Sequence, residues 1–231
     1  MSNASWSLVS IAGAVINFFD TLGIGSFAPS TAFFKFTKTV PDRLIPGTLN
    51  VSMTIPVVLE AFIFITVIKV DPVTLIAMIL ASVVGAIFGA GIVAKLPEKK
   101  VQLYMGVALL IMAFIFLAGL LKLMPSGGEA IGLEGSSLVI AVVCNFFLGA
   151  LMTIGIGLYA PCMALVYALG MSPRVAFPIM MASCAFLMPA ASAKFVKEGA
   201  YDVKSSIAFT VAGCVGVLIA AYIITELPLL I

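Results

Sequence analysis

The sequence of 231 residues contains no histidine, one tryptophan, four cysteines and few charges. Without histidine, the commonest general base and the commonest metal ligand are missing. Cys144, Cys162, Cys184 and Cys214 all fall within apolar runs and show no CxxC spacing, so neither a zinc site nor a disulfide framework is indicated. Charged residues make up 10% of the chain and apolar ones 63%. A soluble domain has about 25% and ~45–50%. So few charges cannot cover the surface of a soluble fold. The net charge of +2, with lysines and arginines dispersed, excludes a nucleic-acid footprint. Residues 1–4 carry no positive charge, so 6–19 does not read as a secretory signal. There is no GxxxxGK[ST] motif for a nucleotide, and no paired-acid or Ser–Lys pattern at helical spacing. No cofactor and no enzyme activity are expected.

What is there is hydrocarbon. Charge-free runs cover 72–94, 101–121, 135–173, 175–193 and 205–225. A helix needs ~20 apolar residues to cross the hydrocarbon core of a bilayer. The reading is an all-α, polytopic membrane protein of the cell membrane. Helices of ordinary spanning length are expected at 47–68, 72–94, 101–121, 175–193 and 205–225. Two stretches, 6–38 and 137–170, are too long for one crossing, since a helix of either length would measure ~50 Å against a core of ~30 Å. Both are interrupted by glycine, at Gly23-Ile24-Gly25 and Gly155-Ile156-Gly157, and each interruption is followed by a proline, Pro29 or Pro161. Glycine permits a break, and proline is tolerated in the first turn of a helix that restarts.

The interruptions belong to an internal repeat. At an offset of 132, Gly23-Ile-Gly-Ser-Phe-Ala-Pro29 lies over Gly155-Ile-Gly-Leu-Tyr-Ala-Pro161, Pro41 over Pro173 and Pro46 over Pro178. Leu96-Pro97 meets Leu227-Pro228 at 131, and Asn17-Phe-Phe recurs as Asn145-Phe-Phe at 128. Residues 6–96 form the first repeat and 137–228 the second, with a linking helix and loop in 97–136. If each interrupted stretch crosses once, the halves are parallel and the Lys/Arg divide seven against five. If each folds back as a re-entrant hairpin, the halves are inverted. Lys35, Lys38, Arg43, Lys95, Lys99, Lys100, Lys194, Lys197 and Lys204 then share one side, opposite Lys69, Lys122 and Arg174. Nine against three obeys the positive-inside rule better, and favours inverted repeats.

Val70-Asp71, Gly85-Ala-Ile-Phe-Gly89, Lys95-Leu-Pro-Glu-Lys-Lys100 and Gly199-Ala-Tyr-Asp202, with a Gly-Ile-Gly turn and proline in each half, resemble the TauE/SafE sulfite-exporter family of anion permeases. The resemblance spans nearly the whole chain. It departs after the turns, where that family is richer in glycine and this chain has Ser26-Phe27 and Leu158-Tyr159. It implies a permease for sulfite, sulfonates or related small organosulfur anions.

A break at membrane depth exposes backbone groups that lipid cannot satisfy, so it should line a protein-enclosed cavity. Helices restarting near Ser26 and Leu158 would present free N–H groups there, as inverted-repeat transporters do toward anions. The alternative is a glycine kink that only packs closely. Candidate substrate-binding residues are Gly23, Gly25, Ser26, Gly155, Gly157 and Tyr159 at the turns. Asn50 and Ser183 offer neutral hydrogen bonds, Cys162 lies within the second restart, and Lys194 could steer an anion. Cys162 also reads as a small hydrophobe and Lys194 as a snorkelling helix end. The intramembrane acids Asp20 and Glu60 are candidates for proton coupling, the alternative being pairing with a lysine. Expected partners are lipid, a small anion and protons, and no nucleic acid; a homo-oligomer is left open. The competing function is a non-transporting scaffold, or a subunit of a larger membrane complex.

Overall fold

The computed structural model describes residues 5–123 and 127–226; the Leu227-Pro228 end assigned to the second repeat lies outside them. Among the described residues there are nine α-helices and no strand: α1 (Trp6–Thr21), α2 (Phe27–Thr37), α3 (Ile45–Val67), α4 (Pro72–Val93), α5 (Glu98–Leu120), α6 (Gly135–Met152), α7 (Tyr159–Ala168), α8 (Pro173–Lys197) and α9 (Val203–Glu226). Six of them, α3 to α6, α8 and α9, are long and apolar enough to cross a membrane. Their outward faces carry residues such as Phe62, Phe88, Leu110, Phe114, Val139, Phe147 and Leu218, all exposed. Only lipid suits such a surface, and the protein is a multi-pass membrane protein by this architecture.

Helices α3, α5, α8 and α9 begin two or three residues before the spans expected from the sequence, and α4 begins where expected, at Pro72. Pro46, Pro72 and Pro173 occupy first turns, where a missing N–H is no loss, and Asp71 caps α4 by accepting from the Thr74 N–H at 2.8 Å. Inside α3, Pro56 cannot donate to the Ser52 carbonyl. The Thr210 hydroxyl of α9 donates to that carbonyl instead, at 2.9 Å. Neither α1, at 16 residues, nor α2, at 11, spans a bilayer alone.

The packing has a definite sense. α8 is the central helix, with most of its apolar stretch buried, whereas most of the peripheral α5 is exposed. α3 and α8 run antiparallel: Gly47 sits on Phe195 and Ala200, Thr54 bonds Ser192, and Phe64 stacks on Phe177. α1 and α9 run parallel, with Lys204 over Trp6, Gly13 on Phe209 and Asn17 on Gly213. α4 and α6 also run parallel, from Thr74 and Leu133 to Gly89 and Thr153. Small residues make these approaches possible: a Cβ on Gly85 would collide with the Phe146 carbonyl, and one on Gly149 with that of Ser82. α2 turns back along α1, because Phe34 packs on Phe209, level with Gly13.

Loop contacts gather at two ends. At one, Lys35 pairs with Asp42 at 2.7 Å, Gln102 bonds Asp42, Lys95 faces Glu198 at 3.7 Å, and Thr48 accepts from the Asp202 N–H. At the other, Asp71 bonds Ile131, and the 127–130 segment bonds Met171 and Ser172.

Candidate functional site

Both breaks are built alike. After α1, Gly23 and Gly25 take φ of +89° and +91°; after α6, Gly155 and Gly157 take +108° and +69°. Glycine enters these conformations without a Cβ penalty, which is why the chain can turn there. α2 and α7 then restart at Phe27 and Tyr159, with Pro29 and Pro161 as third residues. The first-turn N–H groups of each restart have no intrahelical partner.

The two restarts meet. A Cβ on Gly25 would stand 4.0 Å from the Cβ of Tyr159, and one on Gly157 would stand 3.3 Å from that of Phe27. Both pairs are related by the offset of 132, so each turn faces the first helical residue of the other. Around them lies a pocket of ≈ 370 Å³, counting the part open to the outside. Its walls include Asp20, Ser26, Met152 and Cys184, besides the turns themselves. Asp20 and Met152 are also related by 132. The pocket is therefore two-fold in its backbone and one-sided in its charge.

Asp20 is buried; neither carboxylate oxygen makes a hydrogen bond of full geometry, and the hydroxyl and backbone N–H of Ser26 lie close enough to act on it. Burying such a carboxylate is costly, so it needs a proton or an ion. Glu60, fully buried on α3, has two partners: the Tyr159 hydroxyl donates to Oε2 at 2.8 Å, and Thr21 Oγ1 lies 3.0 Å from Oε1. Neither acid pairs with a lysine, the alternative their positions had allowed. Asp20, Glu60, Tyr159 and Cys184 are near enough to act on one another electrostatically.

The other candidates lie elsewhere. Gly23 packs toward the Phe177 ring and Gly155 toward Leu49 and Met105, so they shape the turns rather than the pocket wall. Asn50 is buried and donates to the Pro46 carbonyl at 2.8 Å, within its own helix. Ser183 accepts from Asn145 Nδ2 at 3.1 Å, joining α8 to α6. Cys162 is fully buried off the pocket. Lys194 is exposed in the last turn of α8, at the lysine-rich end. Distance from a helix end does not tell which face a residue takes, and these four face away from the pocket. Conversely, Cys184, Val57, and Met112 and Phe116 from α5 line the pocket without any sequence signal distinguishing them from apolar filler. Met152 had one, as the repeat counterpart of Asp20.

Compared with protein families, with curated proteins and with solved structures, the chain matches none.

Proposed function

We propose that the chain is a secondary transporter for small organosulfur anions such as sulfite or sulfonates, built like the TauE/SafE permeases from two inverted repeats. The observation that carries the reading is the reciprocal contact of the two restarts, Gly25 with Tyr159 and Gly157 with Phe27. Each restart contributes free N–H donors and roughly half a positive charge. Two of them facing one pocket can hold an anion without a buried lysine or arginine. The buried Asp20 carboxylate in the same wall marks the pocket as a place where an ion or proton is exchanged. The choice of an anion rests on this geometry, and the choice of sulfur oxyanions on the family resemblance.

Packing supports the inverted arrangement. α3 and α8 hold the same place in the two repeats and run antiparallel, as a two-fold axis in the membrane plane requires and an axis along the normal forbids. α1 on α9 repeats as α6 on α4, both parallel. The contacts of Lys35, Lys95 and Glu198 with their partners, and of Asp202 with Thr48, gather the lysine-rich segments at one end, which is then cytoplasmic.

Charge explains coupling. A carboxylate at ~4 Å from a bound anion, at an effective dielectric of ~20, repels it by ~4 kcal/mol. A proton on Asp20 removes that term, so anion and proton favour each other's binding and travel together.

The test is a binding screen of sulfite, thiosulfate, taurine, sulfoacetate and simple carboxylates on the purified protein, followed by flux in vesicles. Saturable binding of a sulfur oxyanion, with uptake that follows an imposed pH gradient, is the expected result. Absence of binding and flux for every anion tested rejects the reading.

A further inference from the structure

Thr21, Tyr159 and Glu60 contain a hydrogen count that decides what Glu60 is. Thr21 Oγ1 lies 2.9 Å from the carbonyl oxygen of Asn17 and 3.0 Å from Glu60 Oε1. A threonine hydroxyl has one hydrogen to donate. If it goes to Asn17, Thr21 Oγ1 and Glu60 Oε1 face each other with no hydrogen between them unless Glu60 supplies it. If it goes to Glu60, the same vacancy opens against the Asn17 carbonyl. Tyr159 cannot fill it, because its hydroxyl is on the other carboxyl oxygen, 2.8 Å from Oε2. One extra proton closes the chain. Glu60 Oε1–H donates to Thr21, Thr21 donates to the Asn17 carbonyl, and Tyr159 donates to Oε2.

We infer that Glu60 carries a proton as part of the folded protein and is a positioning residue, leaving Asp20 as the acid that exchanges its proton. The assignment of Glu60 stands on the hydrogen count; the role left to Asp20 rests on the transport reading above. Glu60 ties three elements at one side chain: the last residue of α1, the middle of α3 and the first residue of α7. It thereby fixes the start of α7 against the end of α1. The titratable groups that act on it are Asp20 on α1, Tyr159 on α7 and Cys184 on α8. Asp20 differs in each respect: it lines the pocket, and neither oxygen makes a hydrogen bond of full geometry. A proton there has only Ser26 beside it and faces the pocket from which it can leave with the substrate.

Glutamine is the isostere of a protonated glutamate, since its Nε2 donates to Thr21 while its Oε1 accepts from Tyr159. E60Q should therefore keep the melting temperature of the native protein, and E60A should lose it. Infrared spectra in detergent, which need no substrate, should show a carboxylic-acid C=O band in D20N that is absent from D20N/E60Q. In vesicles, E60Q should keep gradient-driven uptake and D20N should lose the gradient dependence. A missing acid band in D20N, or an E60Q protein as unstable as E60A, overturns the protonated Glu60. Uncoupling in E60Q with normal coupling in D20N reverses the two roles. If no anion is carried by any variant, the transport reading fails, while the infrared and melting results still decide the state of Glu60.

Discussion

Valine at Gly25 or Gly157 separates a working half-helix site from a packing kink. Both positions hold positive φ, +91° and +69°. The left-handed region costs an ordinary L-residue ~1–2 kcal/mol, and a β-branched one more. Space is the lesser obstacle, because a Cβ would meet Tyr159 at 4.0 Å in one case and Phe27 at 3.3 Å in the other. The turn can relieve the strain only by rotating its peptides, which swings the N–H groups of the following restart out of alignment. One misaligned restart withdraws about half a positive charge from ~4 Å of the anion. At an effective dielectric of ~20 that is ~2 kcal/mol, or about 30-fold in Kd. Calorimetry with the best-binding anion of the screen reads this directly, and size-exclusion chromatography checks that each variant stays monodisperse. Affinities within about threefold of the native protein, ~0.7 kcal/mol, in both variants would refute the half-helix site. Loss in one variant alone would refute the convergence of the two restarts.

Three further outcomes follow from other parts of the fold. G89A should destabilise by ~1–3 kcal/mol, since its Cβ would press on Thr153 and on the backbone of Ala150. G91A, two residues on with open space around it, should be neutral or slightly stabilising; thermal melts that rank the two the other way would contradict the α4–α6 packing. Hydrogen bonds from Thr74, first its backbone N–H and then its hydroxyl, hold the Asp71 carboxyl below the usual carboxylate range. A depressed folded pKa gives stability that is present above about pH 4 and is lost as pH falls through the lowered value. The acid-side fall in melting temperature should therefore be shallower in D71N, and an identical pH profile would exclude the cap. In a cysteine-free background, K197C should react with an impermeant thiol reagent only after permeabilisation, and E129C in intact cells. Labelling of K197C from outside would overturn the orientation.

How much of this was written in the sequence depends on the kind of signal. Membrane residence was legible, because burial in lipid demands long runs without charge, and such runs survive in any order of helices. The two breaks were legible as well. Gly23-Ile24-Gly25 and Gly155-Ile156-Gly157 need backbone conformations that other residues resist, and the nearby prolines mark where each helix resumes. That the two restarts meet at one pocket was suggested by the repeat, but the contact of Gly25 with Tyr159 and of Gly157 with Phe27 belongs to the tertiary packing. Asp20 and Glu60 were visible as charges in apolar helices, and the chain showed Asp20 one turn before the first break and Glu60 in mid-helix, but not what either touches. Their difference comes from neighbours 39 and 99 residues away from Glu60, the hydroxyls of Thr21 and Tyr159, and from the position of Asp20 in the pocket wall, where no hydrogen bond of full geometry reaches its carboxylate. Asn50, Ser183, Cys162 and Lys194 sat at plausible depths or helix ends and turned out to face elsewhere. In a helix that is apolar all round, periodicity no longer says which side is inward. Composition and glycine conformation are local properties, and the sequence carried them by itself. Which faces of these evenly apolar helices look inward, and so which side chains share the pocket, was decided only when the helices packed.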